Sequence, residues 1–588
     1  MTAQSEQSNQ RPAYTPPSIN MKFSPWLVLL SLCLGFFMIL LDTTIVNIAI
    51  PDMSTGLKAS LDDILWVINA YVLVYAVLLI TAGRLGDLYG PKQLFLVGLV
   101  LFTLASAACG FAQNPTQLII ARVAQGVGGA LLTPQTLSTI TMIFPPEKRG
   151  AAFGVWGAVA GVATVTGPTL GGLLVTDLGW RWIFFVNLPV GVATLIFAAI
   201  VMPNIQLNRR HRLDIPGTLL ATVGLFLVTY ALIEGQPHHW GKVWGPITIV
   251  ELITAGLVVL GVFVFQQRAQ QSAEPLVPFR IFRDRNFALM NFVAGAMGLA
   301  MIGMFLPLVI YLQSVLGLSA LQAGLAIAPM PLVSMVVAPG AGRLADKIGG
   351  KFILLAGTSL FAIGMGILVA ISEVDTTRVQ LLPGLIVAGV GLGMTFAPMQ
   401  TIAMRNIQPQ MAGAASGLIN TLRQLGAVLG SAAVGALLQN QLSTKLTAAA
   451  QKHSGELPPS FREQFVDGFH RAASSRLEVG AGQTGVKLPA SIPAQARDVI
   501  EKVAATTFHE GFTNAMRVAL WLPIAVLAVS ALSCLLIKRR KKSAAPGAGP
   551  TGADAADDLS DQPNGRHEGR HEMHGGKHEP TEASPATN

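Results

Sequence analysis

Charge is scarce in this chain. Asp, Glu, Lys and Arg make up 12% of its 588 residues, where an ordinary soluble domain carries about 25%. Cysteine is scarcer still. Cys33, Cys109 and Cys534 all fall in apolar runs, which excludes a disulfide framework and a thiolate metal site and leaves them as small buried hydrophobes. No GxxxxGK[ST] phosphate loop occurs, so nothing points to ATP hydrolysis, to an enzyme or to a bound cofactor. A net charge of +9 would suit a nucleic-acid binder, but the basic residues are scattered over short segments between apolar runs. Nucleic acid is therefore not an expected partner.

What is abundant is long apolar sequence. Hydrophobic residues make up 52% of the chain, and runs of about 20 of them are long enough to cross a bilayer as helices. Fourteen spans are expected, near 26–50, 62–82, 93–112, 116–141, 150–174, 182–202, 214–233, 246–265, 287–312, 321–341, 351–371, 380–401, 411–437 and 516–537. The first run exceeds the length of a secretory signal core and has no small-residue cleavage site before Pro51, so it is expected to stay. With the N-terminus inside, the short inner loops hold fifteen Lys and Arg residues. The short outer loops hold four, Lys58, Arg181, Lys242 and Arg378. This asymmetry predicts a multi-pass protein of the cell inner or plasma membrane with both termini cytoplasmic.

Composition divides the chain further. Residues 1–25 and 538–588 are polar and expected to be disordered in the cytoplasm. The tail histidines His567, His571, His574 and His578 match no closed metal site, and no metal is expected. A polar stretch at 438–515 reads as a long extracytoplasmic loop containing short amphipathic helices, before the last span at 516–537. Either a passive cap or a partner-binding surface would explain it.

The string "AGRLGDLYGPK" at Ala82 returns as "AGRLADKIGGK" at Ala341, with seven of eleven positions identical, 259 residues apart. Eight expected spans lie between the copies, so both face the same side. A duplicated chain of this kind suits two six-helix halves related by an axis along the membrane normal. The halves are expected at 26–202 and from 287 onward, the latter's first five helices ending at 437, with two inserted helices in 203–286.

With these residues in view the chain resembles the major facilitator superfamily, and more closely its fourteen-helix drug:proton antiporters of the EmrB/QacA type. The strings that carry the resemblance are "GRLGDLYGPK" (83–92), "RVAQGVGGA" (122–130), "GPTLGG" (167–172), "LDTTIVNIAIP" (41–51) and "WRWIFFVNLPVG" (180–191). Leu88 and Pro91 stand where the first motif usually has basic residues. The resemblance implies an all-α integral membrane protein of the major facilitator fold, two six-helix halves plus two inserted helices. It also implies proton-coupled export of amphipathic, often cationic compounds by alternating access. Protons, such substrates and membrane lipids are then the partners, and an accessory protein is left open. A dedicated exporter of one metabolite or antibiotic is the alternative, and a membrane sensor on a transporter scaffold a more distant one.

Individual residues follow. Asp42 and Arg122 are ionisable groups deep in spans, where charge is costly and functional; each lies about 10–13 Å from the outer end of its helix. They are the expected proton and substrate coupling pair. Gly83, Arg84, Asp87, Gly90 and Lys92 form the expected conformational latch, in which Asp87 would complement the dipole of the thirteenth helix near Met411. Gly167, Pro168, Gly171 and Gly172 mark the antiporter helix, whose glycines permit close packing and whose proline favours a bend. Asn47, Asn420, Arg423 and Gln424 are candidate cavity residues. Glu234, Glu251 and Glu373 fall near outer helix ends and receive no role.

Overall fold

The computed structural model describes residues 21–59, 61–205, 214–235, 238, 240–271, 275–474 and 494–538. Residues 1–20, the basic run after Lys538 and the tail with its four histidines lie outside the described residues. The long helices are α1 (Pro25–Ile45), α2 (Leu61–Tyr89), α3 (Pro91–Phe111), α4 (Pro115–Ile143), α5 (Arg149–Leu178), α6 (Asn187–Val201) and α7 (Ile215–Gly235). They continue with α8 (Ile249–Ala269), α9 (Arg285–Ile310), α10 (Pro329–Ile348), α11 (Lys351–Ile371), α12 (Arg378–Ala403), α13 (Ala412–His453) and α14 (Trp521–Cys534).

Local sequence explains many of the starts. Pro occupies the first helical turn of α1, α3, α4 and α10, where its missing N–H costs nothing. The side chains of Ser24, Asn114 and Asp284 accept backbone N–H bonds at the starts of α1, α4 and α9. Thr248 with Glu251, and Thr377 with Gln380, form reciprocal caps on α8 and α12. Glu251 thus has a structural task, and Glu234 is buried, paired with His238 at 3.0 Å.

Among the described residues thirteen helices are long and apolar enough to cross a membrane, and α4 is the fourteenth. It has 29 residues, about 43 Å at 1.5 Å per residue, but Arg122, Gln125, Thr133, Gln135 and Thr136 lower its hydropathy. All five are buried. Because α4 packs against α2, α3 and α13, these polar groups meet protein rather than lipid and can be satisfied there.

Helices α1–α6 form one set and α9–α14 another, and the two sets meet along two seams, α2 against α13 and α5 against α10. The seams correspond under the repeat, since α2 and α10 each carry one copy of the duplicated string at their ends. Helices α7 and α8 pack on each other, and α7 leans on α2 and α13, with Tyr230 stacked on Trp66 at 5.6 Å.

The structure departs from the sequence reading in three places. A two-stranded antiparallel hairpin, β1 (Lys242–Trp244) and β2 (Ile247–Thr248), joins α7 to α8. The expected span 321–341 is divided at Ala328 into a short helix, Ala320–Ile327, and α10. Most consequential, α13 does not end near 437 but continues to His453, 42 residues in all, or about 63 Å. Leu438, Leu442, Leu446 and Ala450 are buried against the helix Ala494–Ala519, which leads into α14 after a break at Leu520. A further helix, Pro459–Ser474, packs on α13. The segment expected as a loop is therefore mainly a helical extension, clamped where Lys452 and His453 each reach Glu510 at 2.7 Å.

Candidate functional site

Asp42 sits on the last turns of α1, and α4 carries Arg122 and Gln125 three residues apart, hence on one face. All three side chains are buried. Arg122 Nη1 donates to Asp42 Oδ2 at 2.5 Å and to Gln125 Oε1 at 2.7 Å, while its Nε donates to the Val67 carbonyl at 3.0 Å. Gln125 Nε2 in turn donates to Asp42 Oδ1 at 2.8 Å. Asn187, at the start of α6, donates from Nδ2 to the same oxygen at 3.5 Å and to Ser106 Oγ at 3.1 Å. The carboxylate thus lies in a shell of donors from α4 and α6, and the guanidinium closes the shell on one side. Breaking such a buried pair by removing one partner costs about 3–5 kcal/mol.

Arg122 also lies 4.3 Å from the centre of the Tyr71 ring, a cation–π contact made without competition from water. Tyr71 stacks on Tyr75 at 5.9 Å. The Tyr75 hydroxyl meets Thr133 Oγ1 at 3.0 Å and interacts with Arg423 of α13. Arg423 donates to Asn420 Oδ1 at 3.3 Å. A polar and aromatic track therefore runs from Asp42 in the first set of helices to Arg423 in the second. Asn420 is buried and Gln424 half-buried beside it; the side chain of Asn47 lies outside the described residues.

At one end of the bundle Asp87 accepts from the backbone N–H groups of Gly413 and Ala414 at 2.8 and 2.9 Å, the first residues of α13. It is 2% exposed, so its charge acts on the helix N-terminus with little screening. Asp346 makes the corresponding pair of bonds to Gly150 and Ala151 of α5, at 2.8 and 3.0 Å. Backbones touch at both seams: a methyl group on Gly83 would strike the Gly413 carbonyl, and one on Gly342 the Gly150 carbonyl. Gly90 turns the chain at φ +90° and Gly349 at φ +87°, a region that side chains disfavour. Lys92 Nζ donates to the carbonyls of Ala199 and Met202 at 2.7 Å each, capping the end of α6. Arg84 is buried.

The glycines of α5 do not share one partner. Gly150, Gly154 and Gly161 face α10, Gly167 faces Thr44 of α1, and Gly157 and Gly172 have room around them. Gly171 is buried, and the side chain of Pro168 lies outside the described residues.

The model of the Major Facilitator Superfamily matches residues 32–431. The chain belongs to that family. It is similar to the "Multidrug resistance protein Stp" of Mycobacterium tuberculosis, 34% identical over 504 residues covering 86% of this chain and 90% of that protein. It is also similar to the "Tetracenomycin C resistance and export protein" of Streptomyces glaucescens, 31% identical with 86% and 91% covered. A solved proton:xylose symporter shares the fold at TM-score 0.52 and 13% identity, covering 86% of this chain and 94% of that one. The chain is thus a multi-pass membrane transporter of the major facilitator fold, not an enzyme.

For this major facilitator protein, sequence reasoning missed Gln125 and Asn187 as site residues. Gln125 was within reach, being three residues beyond Arg122 in the quoted string. Asn187 also lies in a quoted string, 180–191, but its contact with Asp42 bridges 145 positions and depends on how α6 packs on α1.

Proposed function

We propose that this transporter exports small amphipathic, often cationic compounds in exchange for protons by alternating access, with Asp42 as the exchanging group. The observation that carries the reading is the buried shell around Asp42. A carboxylate enclosed by Arg122, Gln125 and Asn187 can hold its charge, release Arg122 on protonation, or meet a cationic substrate instead. Two buried polar atoms beside it, the Tyr71 hydroxyl and Asn187 Oδ1, have no hydrogen-bond partner among the described residues. A buried polar atom left unpaired is costly, so both suit a proton-carrying water or a polar group of the substrate.

Asp87 and Gly83 are proposed to hold the two sets of helices together at one face, with Asp346 repeating the contact across the symmetry axis, while Gly90 and Lys92 brace the adjoining turn against the end of α6. By the distribution of Lys and Arg that face is cytoplasmic, in the plasma membrane, and the arrangement with both caps made is closed to the cytoplasm. Residues 26–202 and 287–537 then act as moving halves, and 203–286 as an insertion riding on α2 and α13. Gly150, Gly154 and Gly161 of α5 give the seam its close packing, Gly167 packs α5 on α1 within the first half, and Asn420, Arg423 and Gln424 form the polar wall of the second half. The multidrug relative favours broad export. The tetracenomycin relative favours a second reading, export of one compound.

The test is transport by the purified chain in proteoliposomes under an imposed pH gradient, using a panel of fluorescent cationic and neutral compounds. Dye moving against protons, and stopped by a protonophore, supports the proposal. Dye flux indifferent to the gradient contradicts coupling, and movement of a single compound selects the dedicated exporter.

A further inference from the structure

A cavity of about 420 Å³ opens between α11, the extension of α13 and the junction of Ala494–Ala519 with α14. Its lining includes Gly366, Ala370, Lys445, Asn514, Arg517 and Trp521. The helix Ala494–Ala519 is rich in charged and polar residues, whereas α14 beyond Leu520 is apolar. The junction therefore marks the boundary between water and hydrocarbon, at the membrane face opposite Asp87. Trp521 stands at that boundary and is 58% exposed, the position that amphipathic aromatic rings favour. Toward the membrane interior the same helix faces continue as exposed apolar surface, through Ile363 on α11 and Val529 and Leu532 on α14.

Two cations, Lys445 and Arg517, line this boundary groove. Lys445 and Arg517 are half-buried, and among the described residues neither forms an ion pair, although other cations on the extension do, such as Lys452 with Glu510. Two partly desolvated cations, with no ion pair among the described residues, beside an amide and an indole make a site for a phosphate group, which a guanidinium grips with two parallel hydrogen bonds. The apolar stripe below supplies a track for acyl chains. We propose that this groove binds the headgroup of an anionic phospholipid from the leaflet opposite Asp87, and so ties α11 and α14 to the base of the helical extension.

The test uses the purified full-length chain, delipidated in detergent and titrated with phosphatidylglycerol or phosphatidylcholine of matched acyl chains, read by native mass spectrometry. The wild type is expected to retain one more phosphatidylglycerol than the Lys445→Gln/Arg517→Gln variant, with equal phosphatidylcholine retention in the two. Arg378→Gln, which removes a cation outside the groove, should keep the wild-type count. Equal phosphatidylglycerol counts in wild type and double variant would overturn the proposal, as would displacement of the lipid by millimolar inorganic phosphate, the mark of a free-anion site. A second measurement does not depend on the double variant folding. Phosphatidylglycerol with brominated chains should quench wild-type tryptophan fluorescence more than brominated phosphatidylcholine, and the excess should vanish in Trp521→Phe. Equal quenching by the two lipids contradicts the site.

Discussion

Asp87 and Asp346 stand 259 positions apart and make the same contact in mirror places: each carboxylate accepts two backbone N–H bonds at the start of a helix in the other half, α13 for Asp87 and α5 for Asp346. The two are not equal in setting. Asp87 is buried, whereas Asp346 is half-exposed, so solvent screens the second cap more than the first.

Asp87→Asn is expected to keep the fold but weaken the closed state of that face. The amide has no charge and sets an NH2 donor against one of the two backbone N–H groups, losing about 1–3 kcal/mol, roughly 5- to 150-fold in population. Maleimide labelling of Ser416→Cys, a buried position on α13, in a background without Cys33, Cys109 and Cys534 should speed up accordingly. Asp346→Asn should give a smaller increase. Identical labelling rates in all three proteins would remove the latch.

The glycines of α5 should respond unequally to the same change. A methyl group on Gly167 would strike Thr44 Oγ1, and forced overpacking costs about 1–3 kcal/mol. At Gly172 nothing lies within 4 Å, so Gly172→Ala should be neutral or mildly stabilising through helix propensity. Thermal unfolding in detergent distinguishes them, and equal shifts would show that the packing at Gly167 is looser than the structure has it.

Lys92→Met removes two hydrogen bonds and a cation from the end of α6. A lower melting temperature is expected, by an amount matching about 0.3–1 kcal/mol, with transport retained at matched expression. Lost transport with unchanged melting would give Lys92 a part in the conformational cycle instead.

Much of this was legible in the sequence, for physical reasons that also mark where reading fails. Bilayer thickness dictates helix length, so hydropathy locates the spans, and the repeat places Asp87 and Asp346 on one side. Depth arithmetic put Asp42 and Arg122 at one level, and the structure joins them. The end of α13 was not legible, because hydropathy falls after Leu437 while Leu438, Leu442 and Leu446 carry the helix on as a protein-facing stripe. Their spacing of four was the available signal. The partners of Asp42 on α6 and the groove at Lys445 and Arg517 depend on how distant helices lean on one another, which a linear pattern does not contain.

In the proposed exchange Asp42 is the group that carries the proton. Asp42→Asn keeps the size of the side chain and an acceptor for Arg122 but cannot load or release a proton, so the direct measurement is dye efflux driven by a pH gradient in proteoliposomes at matched protein density. Gradient-driven efflux is expected to be lost in Asp42→Asn and partly retained in Asp42→Glu, while binding of neutral ligands persists. Wild-type efflux by Asp42→Asn would contradict it and place the proton on another group.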